Sequence, residues 1–275
     1  MIFAIILLAA IPDRLTDPVE IVKRLATADR RSRELLSQYT YVVESRQREF
    51  DDKGKLTKSE SKTSDVFYLY GRRYQRLTHK NGKPLEGREA DEEEKKFQRE
   101  LAKREKESDD ARAKLAREDA KQREELRKLV DEIVKAYHLT LEGIDNLGGR
   151  SAYRIAAEPR KDYRRLMLPY SILSRLRGKM WIDTAEFQMV KVEAEVIETV
   201  SFGLILARAL PGTTLYFQQN RVNSEIWLPK RAGLQVDARL GLMKRVRFEN
   251  ETEWSNYRKF STDSQIVDVA ETAPQ

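Results

Sequence analysis

The sequence predicts an α+β protein in which an antiparallel β-sheet carries an N-terminal helix and a long charged helical insertion. Three observations predict it. Within Gly178-Lys-Met-Trp-Ile-Asp-Thr184 and Phe187 to Ile197, Val190, Val192, Ala194 and Val196 share one parity, and Lys191, Glu193 and Glu195 take the other. Strands turn successive side chains to opposite faces, so this segment has a buried side and a wet side. The Asp183-Thr184-Ala185-Glu186 corner between the two runs reads as a hairpin. Turn residues then recur roughly every eight to twelve positions, the rhythm of an antiparallel sheet or barrel. Finally, residues 88–137 are dense in charged helix formers and contain neither Gly nor Pro.

In chain order, residues 1–12 read as the remnant of a secretory signal. Met1 to Ile11 is an unbroken apolar run that stops at Pro12-Asp13, with Ala9-Ala10 supplying small residues for cleavage. It falls short of the roughly 20 residues that span a bilayer. No Lys or Arg precedes it, so a buried strand or helix of the mature fold is the alternative. Asp17-Pro18-Val-Glu20 is a helix start, with an N-cap acid, Pro at the first helical position and Glu three residues after the cap. That helix is expected to reach about Gln38. Tyr39 to Glu44 then switches to strand period, Asp51-Asp-Lys-Gly54 reads as a turn, a second strand leads to Tyr70, and Asn81-Gly82 is a strong hairpin signal. Residues 13–87 are therefore a helix and a β-meander.

The charged insertion, 88–137, is expected as one helix or as a hairpin broken at Ser108-Asp109-Asp110. Its apolar anchors cluster at the ends: Phe97 and Leu101, then Leu126 to Tyr137. The bland reading is a solvated decoration of a sheet loop; the functional one is an arm that meets a protein partner. Strands resume over 138–262, through the Asn146-Leu-Gly-Gly149 turn, and 263–275 reads as a flexible tail. Thr199 to Leu210 is an apolar island, either a strand bent at Gly203 or a helix.

Composition removes several functions. Cysteine is absent, which excludes disulfides, thiolate metal sites and a Cys nucleophile. The two histidines, His79 and His138, lie in different regions, which argues against an imidazole metal site or general base. No phosphate loop, serine-nucleophile elbow or metal-ligand spacing is present, so no catalytic residue, metal or cofactor is assigned. The net charge of +7 suits anionic surfaces. Charges nearly balance within 88–137, so the excess belongs to the body.

The order of elements, with Leu147-Gly-Gly-Arg-Ser-Ala-Tyr-Arg-Ile155, Gly178-Lys-Met-Trp-Ile-Asp183 and the Trp227-Leu-Pro229 strand, resembles the LolA/LolB-like superfamily. These are outer-membrane lipoprotein-sorting proteins, a group that also includes the sigma-factor regulatory protein RseB. The resemblance spans most of 17–261 apart from the charged insertion. It implies a strongly curved antiparallel half-barrel covered by helices. It also implies a non-catalytic periplasmic or otherwise exported protein that binds lipid or lipoprotein acyl chains. Tyr41, Phe67, Leu69, Trp181, Tyr216 and Trp227 are the large side chains available to line the concave face, although for each taken singly plain core packing is the better reading. Arg164, Arg165, Leu166, Leu168, Ile172, Leu173, Arg175, Leu176 and Arg177 form a cationic, amphipathic segment where the family places elements covering the mouth. Such a segment can enter lipid while its arginines hold headgroups, or simply cap the core. The competing reading is a structural adaptor with a filled core that presents the charged helix to a protein. Nucleic-acid binding would need a cation stripe interleaved with exposed aromatics, and none is expected.

Overall fold

The computed structural model describes residues 16–28, 35–106, 109–163, 170–202, 207–240 and 244–260. Helix α1 is Pro18–Ala28, α2 is Gly87–Glu105 and α3 is Asp109–Ala136. The strands are β1 Tyr39–Phe50, β2 Leu56–Leu69, β3 Arg72–Lys80, β4 Lys83–Pro84, β5 Tyr137–Leu147, β6 Arg150–Pro159 and β7 Leu176–Asp183. They continue as β8 Met189–Val196, β9 Val200–Phe202, β10 Ala207–Ala209, β11 Thr214–Val222, β12 Ile226–Leu240 and β13 Lys244–Lys259. A short 3-10 turn, Tyr170–Arg175, precedes β7. Among the described residues these strands make one open antiparallel sheet in the order β4-β3-β2-β1-β13-β12-β11-β8-β7-β6-β5, with β10 on β12 and β9 on β10.

Local chemistry sets the turns where the sequence places them. The Asp17 carboxylate accepts the Val19 amide and starts α1. Asp51 accepts the Lys53 and Lys55 amides and closes the β1–β2 turn. At Asn81-Gly82 both residues take positive φ, 51° and 74°, which is the hairpin twist that matches the strands. Of the helix expected to reach about Gln38, Pro18–Ala28 is described and 35–36 are again helical before a turn at 37–38, and Tyr39 opens β1 as expected. The apolar island at 199–210 contributes strands β9 and β10 rather than a helix. Its Val200 and Ala209 are buried with Val196, against Ile172 and Leu176.

The main core lies on one sheet face, here the α1 face. Ile21 and Val22 of α1 and Val130 of α3 pack on Tyr153, Ile155, Met180 and Ile182, with Leu173 from the 3-10 turn. A second group on the same face joins Tyr41, Val43 and Val66 under Leu36, with Trp254 and Tyr257.

The charged stretch docks on the body through α2 and at the Tyr137 end of α3, where Val130 and Ala136 are buried, while Arg117, Lys121, Glu124 and Glu125 are exposed. It forms two helices, and the segment carrying them joins the sheet's two terminal strands, β4 and β5. Helix α2 lies on the opposite face against β3 and is held there largely by its charges. Glu89 pairs with Lys80, Glu94 with Arg76 and Glu100 with Arg72, while the Glu93 carboxylate accepts the Leu77 amide. Phe97 packs between Phe67 and Tyr74 at centroid distances of 6.0 and 5.5 Å. The Arg104 guanidinium is buried and donates to the carbonyls of Leu69, Arg72 and Arg73 around the β2–β3 turn, at 3.4, 2.8 and 3.3 Å. Edge-strand groups left open would recruit other strands. Replacing Arg104 by Ala should therefore lower stability by about 2 kcal/mol. It should also raise proteolytic cleavage within α2, read by urea denaturation and limited proteolysis of the full chain.

Candidate ligand-binding face

Cross-strand pairing fixes which side chains share a face. One row crosses the sheet from β5 to β2: Leu141, Ile155, Met180, Val192, Phe217, Ala232, Thr252, Ser45 and Lys62. The neighbouring row runs Leu139, Ala157, Gly178, Ala194, Leu215, Leu234, Asn250, Gln47 and Glu60. Both start apolar under α1, become hydroxyl or amide at β13 and β1, and end charged at β2. Helices and the 3-10 turn cover the apolar start. The middle is less protected: Leu215 and Phe217 are only half-buried, and Leu234 keeps 38 % of its surface exposed. An exposed strip of bulky apolar side chains on a sheet face is a surface able to receive an apolar group.

The six aromatic and aliphatic residues expected to line a single concave face do not share one. Tyr41 lies on the α1 face, where its hydroxyl accepts a hydrogen bond from Arg73 at 3.0 Å and its ring sits 5.2 Å from Tyr257. Phe67, Leu69, Trp181, Tyr216 and Trp227 lie on the opposite face. The reason is the period of two: each is adjacent in sequence, or one register irregularity away, to a residue of the α1 face, and side-chain size does not reveal parity. Phe67 and Leu69 serve the docking of α2. Tyr216 lies over Gly233 on the next strand, where a Cβ would meet its ring at 2.2 Å, and Arg231 stacks on it at 5.7 Å. The parity of β8 is also modified. A register irregularity between Trp181 and Ile182 places Val190 with Trp181, Trp227 and Ala152, while Val192 stays with the main core.

The two sharpest sequence motifs meet at this opposite face. Ala152 pairs with Asp183 and Tyr153 with Ile182. The Arg150 guanidinium donates to both Asp183 oxygens at 2.8 and 2.9 Å and to Glu186 at 2.9 Å. Glu186 also accepts the Trp227 indole N–H at 2.9 Å and pairs with Arg221 at 2.7 Å. The Trp181 indole donates to Asp145 at 2.8 Å, with Lys191 over its ring at 4.3 Å. This network ties the turns together; its residues are legible in the sequence but their partnership is not, because it joins positions more than thirty residues apart.

In the expected mouth segment, Arg164, Arg165, Leu166 and Leu168 lie outside the described residues. Leu173 is buried in the main core, and Ile172 and Leu176 pack on Val196 and Val200. Arg175 donates to the Thr199 carbonyl and Arg177 pairs with Glu195. A separate groove of about 810 Å³ runs beside α2, lined by Leu77 and Leu85 but otherwise by charged side chains such as Glu89, Glu93, Lys96 and Arg99. Among the described residues no group of His, Asp and Glu is arranged to hold a metal, and no helix is long and apolar enough to cross a membrane.

These features define a class of protein: an open antiparallel sheet with α1 and α3 on one face, α2 on the other, and a partly uncovered apolar strip on the α1 face. No protein-family model matches the chain, and no curated protein matches it in sequence. Among solved structures, a DUF1329 family protein from Desulfovibrio piger is similar at a TM-score of 0.33 and 15 % identity, over 90 % of this chain and 96 % of that one. An outer-membrane lipoprotein-sorting protein domain from Vibrio parahaemolyticus follows at 0.32 and 10 %, over 90 % and 94 %. A LolA superfamily protein from Nitrosomonas europaea stands at 0.30 and 9 %, over 90 % and 95 %. Superpositions this loose carry no weight for activity, so function must be read from the chain's own residues.

Burial by itself would raise the Asp183 carboxyl, but the Arg150 guanidinium and the Glu186 and Ala185 amides outweigh it and hold it below its ordinary value. A depressed folded-state pKa stabilises the fold above the unfolded value of about 4, and that contribution is lost as pH falls through the lower folded value. Asp183→Asn should cost about 2 kcal/mol at neutral pH. It should also flatten the loss of stability below about pH 4 relative to the parent, measured by urea denaturation across pH.

Proposed function

We propose that this chain is a non-catalytic envelope protein that holds the apolar part of a lipid, lipoprotein or related amphiphile on the α1 face of its sheet. The observation that carries the reading is the half-exposed strip of Leu215, Phe217 and Leu234, placed between the helix-covered core and the polar strands β13 and β1. A sheet of this many strands twists, and on curling it gives the half-barrel that the resemblance to lipoprotein-sorting proteins implies. The strip would then line its hollow. Burying about 100 Å² of such surface contributes about 2.5 kcal/mol, so a chain-like ligand would be held by the apolar area that both partners bury. Export to the bacterial envelope belongs to the same reading and draws on the apolar N-terminal run. The adaptor reading draws less support from α2, where Glu89, Glu94 and Glu100 pair with cations of β3.

The test is native mass spectrometry and lipid extraction on the purified full chain, before and after mixing with phospholipid vesicles. Bound acyl lipid is expected, and Phe217→Asp should reduce its occupancy at least tenfold while leaving the far-UV circular dichroism intact. A parent protein that carries no lipid and ignores added vesicles would sink the reading.

A further inference from the structure

The polarity of the α1 face changes in one direction, and that direction specifies the ligand. From Phe217 the row passes through Ala232, then the hydroxyls of Thr252 and Ser45, and reaches Lys62 on β2. Four strand spacings put Lys62 about 19 Å from Phe217. That is close to the depth of one bilayer leaflet, about 15 Å, so a chain lying on the strip carries its head to the β1–β2 end.

Lys62 is exposed, and the acids nearest to it in the sheet are already paired. Glu60, two positions along the same face, pairs with Lys58 at 3.6 Å, and the cross-strand neighbour Lys80 pairs with Glu89 at 2.5 Å. Lys62 itself forms no ion pair among the described residues. A lysine without an acid partner, at the polar end of an apolar row, complements a negative head and gains nothing from a neutral one. Resting on the lipid-binding reading above, we propose that the α1 face takes anionic amphiphiles, with the phosphate of the headgroup at Lys62 and the acyl chain over Phe217 and Leu234.

Two probes of equal chain length separate the parts of the claim: hexadecyl phosphate and the neutral hexadecyl maltoside, each titrated below its micellar concentration against the full chain. The parent should prefer the phosphate, and Lys62→Ala should weaken it about fivefold, the scale of one exposed charge pair. Lys62→Glu should weaken it further, and neither variant should alter affinity for the maltoside. Phe217→Asp should weaken both probes. Equal loss of both probes in the Lys62 variants, or phosphate binding indifferent to Lys62, would overturn the headgroup assignment while leaving the lipid reading in place. Failure of the parent to bind either probe would remove both.

Discussion

The pairing of β1 with β13 is the constraint on which the rest of the structure depends. It runs from Tyr39↔Lys259 to Phe50↔Arg247 and joins strands from opposite ends of the chain. Without it, β4-β3-β2-β1 and β13-β12-β11-β8-β7-β6-β5 are two separate sheets, each with another exposed edge. With it, residues from the N-terminal meander and from the last third fall into common rows, and the polarity gradient of the α1 face exists only because those rows are continuous. The pairing also closes a very long loop, an entropic cost that local hairpins such as β5–β6 do not carry.

The two faces are stabilised by different physics. On the α1 face, burial of Ile21, Val22, Ile155, Met180 and Ile182 supplies the hydrophobic term, and α1 is amphipathic enough to cover only part of the sheet. On the opposite face, cross-strand charges dominate, with Arg48 beside Glu249 and Glu251, Lys179 beside Glu142, and Arg177 beside Glu195. Such exposed pairs add little energy individually, but they keep this face wet and oppose slippage, because a one-residue shift would turn these charges toward the other face and away from their partners. The exception is the buried cluster of Trp181, Trp227, Val190 and Ala152, sealed by the Arg150–Asp183 pair and Glu186. It ties the β5–β6, β7–β8 and β11–β12 turns together at one end of the sheet.

Helix α2 shows how a highly charged segment becomes structural. An exposed charged helix has little reason to dock, yet its acids find Lys80, Arg76 and Arg72, and Arg104 satisfies carbonyl groups around the β2–β3 turn. The sheet's first edge is thereby covered by side chains rather than by another strand. The candidate face is left to the other side, so covering the edge and receiving the proposed ligand would not compete for the same face.

The sequence by itself determined the elements and their punctuation. Period-two runs mark β1, β6 and β8, and Asp17-Pro18, Asp51 to Gly54 and Asn81-Gly82 act through hydrogen bonds and dihedrals that involve only near neighbours. It also determined that β8 has a wet parity, as the pairing of Lys191 with Glu193 and of Glu195 with Arg177 bears out. Tertiary structure alone decided which parity faces α1. Trp181 and Met180 differ by one position, and the choice between them rests on register with β6 and on the irregularity opposite β8. For the same reason the candidate face was not legible from large side chains. Its members come from β8, β11, β12, β13, β1 and β2, and only long-range pairing brings Phe217, Thr252 and Lys62 into one row. Local chemistry is written in neighbouring residues, whereas a sheet face is assembled by hydrogen bonds between residues far apart in the chain.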